Sequence, residues 1–259
     1  MKKSLLLFSA TLLVLTSSCS NDEKYEEAAT GTLLPKKIVE TMVENGESAS
    51  VTYTMTYDGN KLKDIRLTDD SRSVYTYTGD LITKVELFDS SVLYSSDDYA
   101  YSDGKLVSKI TTYADDTSIK DKLTFVYNAN GTVNVNQSRI INGQEVKYDT
   151  TTLYTFSNGN IVSIEYIDDV KEKITSVFDD KKSPFNNITG VKFLLDLDTY
   201  FDFYSMNNTV KNTTETYNSS GGVTQTAVVT SENKYNESNF LIGLFSGDTK
   251  NSVKLEISY

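Results

Sequence analysis

Apolar and polar residues alternate with a period of two along much of this chain. In Val51-Thr-Tyr-Thr-Met-Thr-Tyr57, Tyr53, Met55 and Tyr57 share one face while Thr52, Thr54 and Thr56 share the other. This is the pattern of a strand with one buried face. A turn signal, Asp58-Gly59-Asn60-Lys61, follows directly, and then a second apolar cluster, Leu62, Ile65 and Leu67. The same order recurs. Val74-Tyr-Thr-Tyr77 leads through Gly79-Asp80 to Leu81-Ile82 and Val85. Tyr99-Ala-Tyr101 leads through Asp103-Gly104 to Leu106-Val107 and Ile110. Phe125-Val-Tyr127 leads through Asn130-Gly131 to Val133 and Val135, and Tyr154-Thr-Phe156 leads through Asn158-Gly159 to Ile161-Val162 and Ile164. Aromatic and β-branched residues favour the pleated backbone, and Asp-Gly and Asn-Gly supply the positive φ of a tight reversal. Each unit therefore predicts a β-hairpin. The turn-proximal aromatics Tyr57, Tyr77, Tyr101, Tyr127 and Phe156 lie roughly 20–29 residues apart, a loose repeat and not a strict solenoid.

The pattern falters after Phe178-Asp179-Asp180, and Pro184, which has no N–H for a ladder, marks a break or an edge. Phe193, Leu197, Phe201 and Tyr204 then recur at spacings of four, four and three, which predicts a short helix near 191–204. The alternative reading of the same residues is a thick apolar loop that plugs one end of the sheet. Strand patterns resume at Thr213–Tyr217, Val223–Val229, Glu232–Tyr235, Leu241–Phe245 and Val253–Tyr259. The expected fold is all-β: successive hairpins in one long antiparallel sheet that coils or rolls on itself.

The first residues read differently. Lys2 and Lys3 precede an apolar run from Leu5 to Leu15, then Thr16-Ser17-Ser18-Cys19. That run is too short to span a bilayer as a helix and has the form of a signal h-region. The stretch resembles a bacterial lipoprotein signal, which implies lipidation of Cys19, cleavage before it, and an address in the cell envelope, as an outer-membrane lipoprotein that is periplasmic or surface-exposed. The expected organisation is a signal peptide at 1–18, a lipidated cysteine and flexible acidic tether at 19–32, and one hairpin-repeat domain at 33–259. Asp22-Glu23 resembles the acidic sorting tag of surface-exported lipoproteins of Bacteroidota. The hairpin units, best seen in Tyr57-Asp58-Gly59-Asn60-Lys61-Leu62 and Tyr101-Ser-Asp103-Gly104-Lys105-Leu106, resemble degenerate YD (RHS-type) repeats of Bacteroidota lipoproteins. That resemblance implies architecture and no activity.

Composition narrows the chemistry. The chain has no histidine and one cysteine, so Ser-His-Asp and Cys-His nucleophilic systems and His-liganded zinc are excluded, as is an internal disulfide. A net charge of -11 disfavours nucleic acid and anionic lipid headgroups as partners. Paired acids occur at Asp69-Asp70, Asp97-Asp98, Asp115-Asp116, Asp168-Asp169 and Asp179-Asp180. Neighbours on a strand point to opposite faces, so these pairs read as solvated charges and not as calcium ligands. No cofactor, metal site or catalytic residue is expected. The leading expectation is a non-enzymatic, lipid-anchored envelope protein with a binding or structural role and a protein or glycan partner. The alternative is a glycan-binding module, or a carboxylate-dependent glycan hydrolase, of an outer-membrane uptake system.

Overall fold

A computed structural model describes residues 32–167, 171–195 and 201–259. Cys19, Asp22-Glu23, Asp168-Asp169 and Leu197 lie outside these residues. The strands are β1 (Lys37–Glu44), β2 (Glu47–Asp58), β3 (Lys61–Leu67), β4 (Arg72–Thr78), β5 (Leu81–Asp89), β6 (Val92–Ser102), β7 (Lys105–Tyr113) and β8 (Ile119–Tyr127). They continue with β9 (Val133–Ile141), β10 (Gln144–Ser157), β11 (Asn160–Ile167), β12 (Glu172–Phe178), β13 (Thr209–Tyr217), β14 (Val223–Tyr235), β15 (Leu241–Gly247) and β16 (Ser252–Ser258).

Every strand pairs antiparallel with its neighbour in sequence, and β1 pairs with β16, from Lys37↔Ser258 to Val43↔Ser252. The expected rolling sheet is thus a closed barrel, which leaves no free edge. Two segments expected to be separate strands, Val223–Val229 and Glu232–Tyr235, are one strand, β14.

Several hairpins share two devices. Asn45-Gly46, with φ of 53° and 87°, is the left-handed pair that a two-residue reversal needs. At the other end of the strands the register slips by one residue just before the turn-proximal aromatic, at Thr56/Tyr57, Thr76/Tyr77, Ala100/Tyr101 and Thr155/Phe156. Such a bulge sits on the returning strand, at Lys63, Thr83, Val107 and Val162, while the aromatic keeps the alternation of its own strand. The bulge explains why Leu62 and Ile65, three residues apart, both face the interior and are fully buried, as are Ile82 and Leu106. Burying each of these side chains contributes roughly 1.5–3 kcal/mol.

The inward tyrosines then bond to neighbouring segments. Tyr57 Oη donates to the Pro35 carbonyl at 2.6 Å, Tyr101 Oη to Ile82 at 2.8 Å, and Tyr259 Oη to Leu241 at 2.7 Å. Tyr77 Oη accepts from Leu62 N–H at 3.1 Å and donates to the Thr189 carbonyl at 3.2 Å. The repeat is therefore a repeated lock between hairpins.

Burial raises the pKa of three of these phenols, that of Tyr77 to about 12 and those of Tyr57 and Tyr259 further. An unfolded tyrosine ionises near pH 10. Their stabilising contribution is complete below pH 10 and is lost as the pH climbs from about 10 to about 12. Melting temperature followed by circular dichroism, alongside tyrosinate absorbance, should fall across that window. Full tyrosinate absorbance at pH 11 with an unchanged melting temperature would contradict this.

The segment between β12 and β13 is the plug of the barrel. Among the described residues of the helix expected near 191–204, only Val191–Phe193 is helical, as one 3-10 turn. The alternative, an apolar loop that fills one end, is what the structure shows. Ile188, Val191, Leu194 and Leu195 are buried together, a spacing that a helix would also give, yet Leu194 and Leu195 lie beyond the 3-10 turn. Phe185, Phe201 and Phe203 stack edge to face, and Phe201 meets Tyr53 of the wall at 4.9 Å. The plug docks on the turn end of the barrel through Thr189 N–H to Asn60 O at 2.9 Å, Asn187 Nδ2 to Leu33 O at 2.9 Å, and Met206 N–H to Gly159 O at 3.2 Å.

Candidate functional site

The two faces of the barrel wall differ. Outward positions carry Ser48, Ser50, Thr52, Thr54 and Thr56 on β2, Lys120, Lys122 and Thr124 on β8, Lys173 and Thr175 on β12, and Lys254 and Glu256 on β16. Ion pairs tie some of them on the outer wall: Lys122–Glu145 at 2.8 Å, Lys254–Glu256 at 2.9 Å and Lys171–Glu165 at 2.5 Å. The inner face changes character along each strand. On β9, Val133 and Val135 are buried beside the plug, while Gln137 and Arg139, further from it, meet water. On β6 and β7 the buried Tyr99 and Leu106 give way to Asp97, Thr111 and Tyr113. On β14 the inward Gln225, Ala227 and Val229 are exposed. One half of the interior is apolar core and the other half is a watered lumen.

The most polar part of the lumen wall spans β6 to β10. Asp121 accepts from Arg139 Nε at 2.8 Å on one oxygen and from Tyr113 Oη at 2.8 Å on the other. Thr111 Oγ1 donates to Asp97 at 2.6 Å. The Arg139 bond holds the Asp121 carboxyl below the usual range, and the same carboxylate pushes Tyr113 up to about 12. At neutral pH the wall therefore holds an ionised Asp121 and a protonated Tyr113. Lys109, only 4 % exposed, lies on the same wall. A cavity of about 240 Å³ opens between Lys109, Thr111, Tyr113, Asp121, Gln137, Arg139 and Tyr148. Outside the wall a groove of about 530 Å³ shares Lys122, Gln137, Ser138 and Tyr148 and adds Asn136, Glu145 and Lys147. The two hollows meet where β10 bulges: Lys147 pairs with Ser138 and Thr151 with Asn136, so three residues of β10 stand against Gln137 alone.

Other candidates resolve into structural roles. Asp69 and Asp116 cap their own turns, accepting from Ser71 N–H and Ser118 N–H at 3.0 Å each. Asp97 faces the lumen while its neighbour Asp98 faces out, as strand geometry requires. Asp179 anchors the plug. It accepts from Lys181 N–H at 2.9 Å, Asn208 N–H at 3.2 Å, Asn233 Nδ2 at 3.4 Å and Tyr235 Oη. Among the described residues no group of three or more acids could hold a metal ion. Sequence reasoning missed Arg139, Gln137 and Tyr148. The available signal was the switch from valine to polar residues along one face of Val133–Ile141.

No family model matches the chain, and no curated protein does. Among solved structures, the chain is similar to a porin-like protein from Bacteroides uniformis ATCC 8492. The TM-score is 0.51 at 9% sequence identity, covering 86% of this chain and 97% of that one. At that identity the likeness is one of fold: a closed β-barrel of similar extent.

Proposed function

We propose that the chain is a non-enzymatic protein of the cell envelope, held to the membrane by lipid on Cys19, whose barrel stands in water and receives a small ligand in its lumen. The observation that carries this reading is the outer wall. A transmembrane barrel needs an apolar band about 25 Å tall, and each Lys or Arg at the bilayer midplane costs roughly 2–4 kcal/mol. Here lysines and glutamates recur on outward positions of successive strands, while the largest apolar side chains point inward at the plug. The barrel is thus ordered like a water-soluble protein, although it shares its fold with a porin-like one. The plug fills one end with aromatic side chains, which favours a chamber over a channel. The envelope address is supported by the signal-like stretch ending at Cys19.

Two measurements test this. Radiolabelled palmitate is expected to attach to the wild-type chain and to be lost in Cys19→Ala. A chain beginning at Thr32 is expected to remain in solution without detergent and to add no conductance to a planar bilayer. A chain that needs detergent and forms pores would overturn the reading.

A further inference from the structure

We propose that the lumen wall at Lys109, Tyr113, Asp121, Gln137, Arg139 and Tyr148 is a binding site for a neutral, polyhydroxylated ring, a sugar. This deepens the reading of the lumen as a binding chamber and rests on it. Four observations lead there.

First, the charges around the cavity are already engaged. Arg139 pairs with Asp121 and Lys122 pairs with Glu145, each at 2.8 Å. A charged ligand would have to break these pairs, while a neutral one gains hydrogen bonds without doing so. The net charge of -11 further disfavours anions.

Second, the wall presents donors and acceptors side by side. Arg139 donates only its Nε–H to Asp121, and Gln137 makes no side-chain hydrogen bond among the described residues, so its amide offers both kinds of group. A sugar hydroxyl, itself donor and acceptor, is the chemical complement of such a set.

Third, two aromatic rings border the cavity. Tyr113 is held in place by Asp121 and packs against Tyr94 at 6.4 Å. Tyr148 is 41% exposed and is re-aimed by the bulge of β10, so that it borders both the inner cavity and the outer groove. A tyrosine face offers apolar surface for the C–H side of a ring, and its hydroxyl offers a polar tip.

Fourth, the cavity of about 240 Å³ lies below the usual range for drug-sized ligands, which suits one ring and not a polymer engaged along its length.

The test uses the full lipidated chain in detergent micelles and saturation-transfer NMR. The probes are glucose, galactose, mannose and N-acetylglucosamine, with glucuronate and glucosamine as charged analogues. At least one neutral sugar should receive saturation at millimolar concentration, and the charged analogues less. Tyr148→Ala and Arg139→Met should each weaken the best sugar by about tenfold or more, the loss expected for one stacking or charge-assisted contact. Gln137→Ala, which removes no bond of the folded chain, serves as the variant whose folding is not at stake and should weaken binding as well. Circular dichroism reports whether each variant keeps its barrel. No transfer to any neutral sugar, or binding that all three folded variants leave unchanged, would overturn the site. A soluble, non-conducting barrel that binds no sugar would sink this inference alone and leave the chamber standing.

Discussion

Gly190→Ala is expected to destabilise the barrel by about 2–5 kcal/mol, against about 1–2 kcal/mol for the same change at Gly46. Both glycines have a left-handed backbone, with φ of 89° and 87°. An L-residue pays roughly 1–2 kcal/mol for that conformation at either position. The surroundings differ. A methyl group on Gly46 would meet nothing within 4 Å. On Gly190 it would stand 2.6 Å from the Asp80 carbonyl oxygen and 3.1 Å from the Tyr77 ring. The carbonyl belongs to a tight turn and cannot move aside cheaply. Overpacking of this kind adds roughly 1–3 kcal/mol. The plug must then lift, and Thr189, which donates its N–H to Asn60 and accepts from Tyr77, is the next residue along. Chemical denaturation of the two variants measures the difference. Equal losses would mean that the plug does not press on the β4–β5 turn.

The hairpins are legible in the sequence because every one of their causes is local. The period of two, the Asn-Gly and Asp-Gly reversals and the turn-proximal aromatics each act within a dozen residues. Closure is different in kind. Nothing within Lys37–Glu44 names Ser252–Ser258 as its partner. Whether a sheet closes depends on strand number and stagger summed over the whole chain. The plug admits two readings in sequence, a short helix or an apolar loop, because Phe193, Leu197, Phe201 and Tyr204 fall at helical spacing. The residues that pack most deeply are Val191, Leu194 and Leu195, with only a single 3-10 turn among them.

The lumen site was hidden for a third reason. Asp121 and Arg139 stand on adjacent strands 18 residues apart, and Tyr148 reaches them only because β10 bulges. Adjacent aspartates caught attention in the sequence because they are conspicuous. The acid that organises the wall, Asp121, stands between two lysines and is conspicuous in no way. What sequence does record is the gradient along each inner face, from Leu106 to Tyr113 and from Val133 to Arg139. Such a gradient means that the buried end and the watered end of one strand are different places.

The adjacent pair Asp179-Asp180 gives the sharpest contrast in the molecule. Asp179→Ala is expected to lower stability by about 3–4 kcal/mol, while Asp180→Ala should change it by less than about 0.5 kcal/mol. The Asp180 side chain is 87% exposed and its ion pair with Lys181 spans 3.3 Å in water, where such pairs contribute little. Asp179 sits where the wall gives way to the plug. Its oxygens accept from two backbone N–H groups, those of Lys181 and Asn208, and from the side chains of Asn233 and Tyr235. Asn208 is only 6% exposed, so its donors have no water to turn to. Hydrogen bonds to a charged acceptor contribute roughly 1.5–3 kcal/mol each, and a donor stranded in the interior forfeits its solvation as well. The sum stays below that of four independent bonds because the donors share one acceptor and relax together. Asp179→Asn should recover part of the loss, since an amide oxygen still accepts. Urea midpoints of the three variants decide the matter: comparable losses at both aspartates would show that the plug is held by its aromatic packing, with the carboxylate incidental to it.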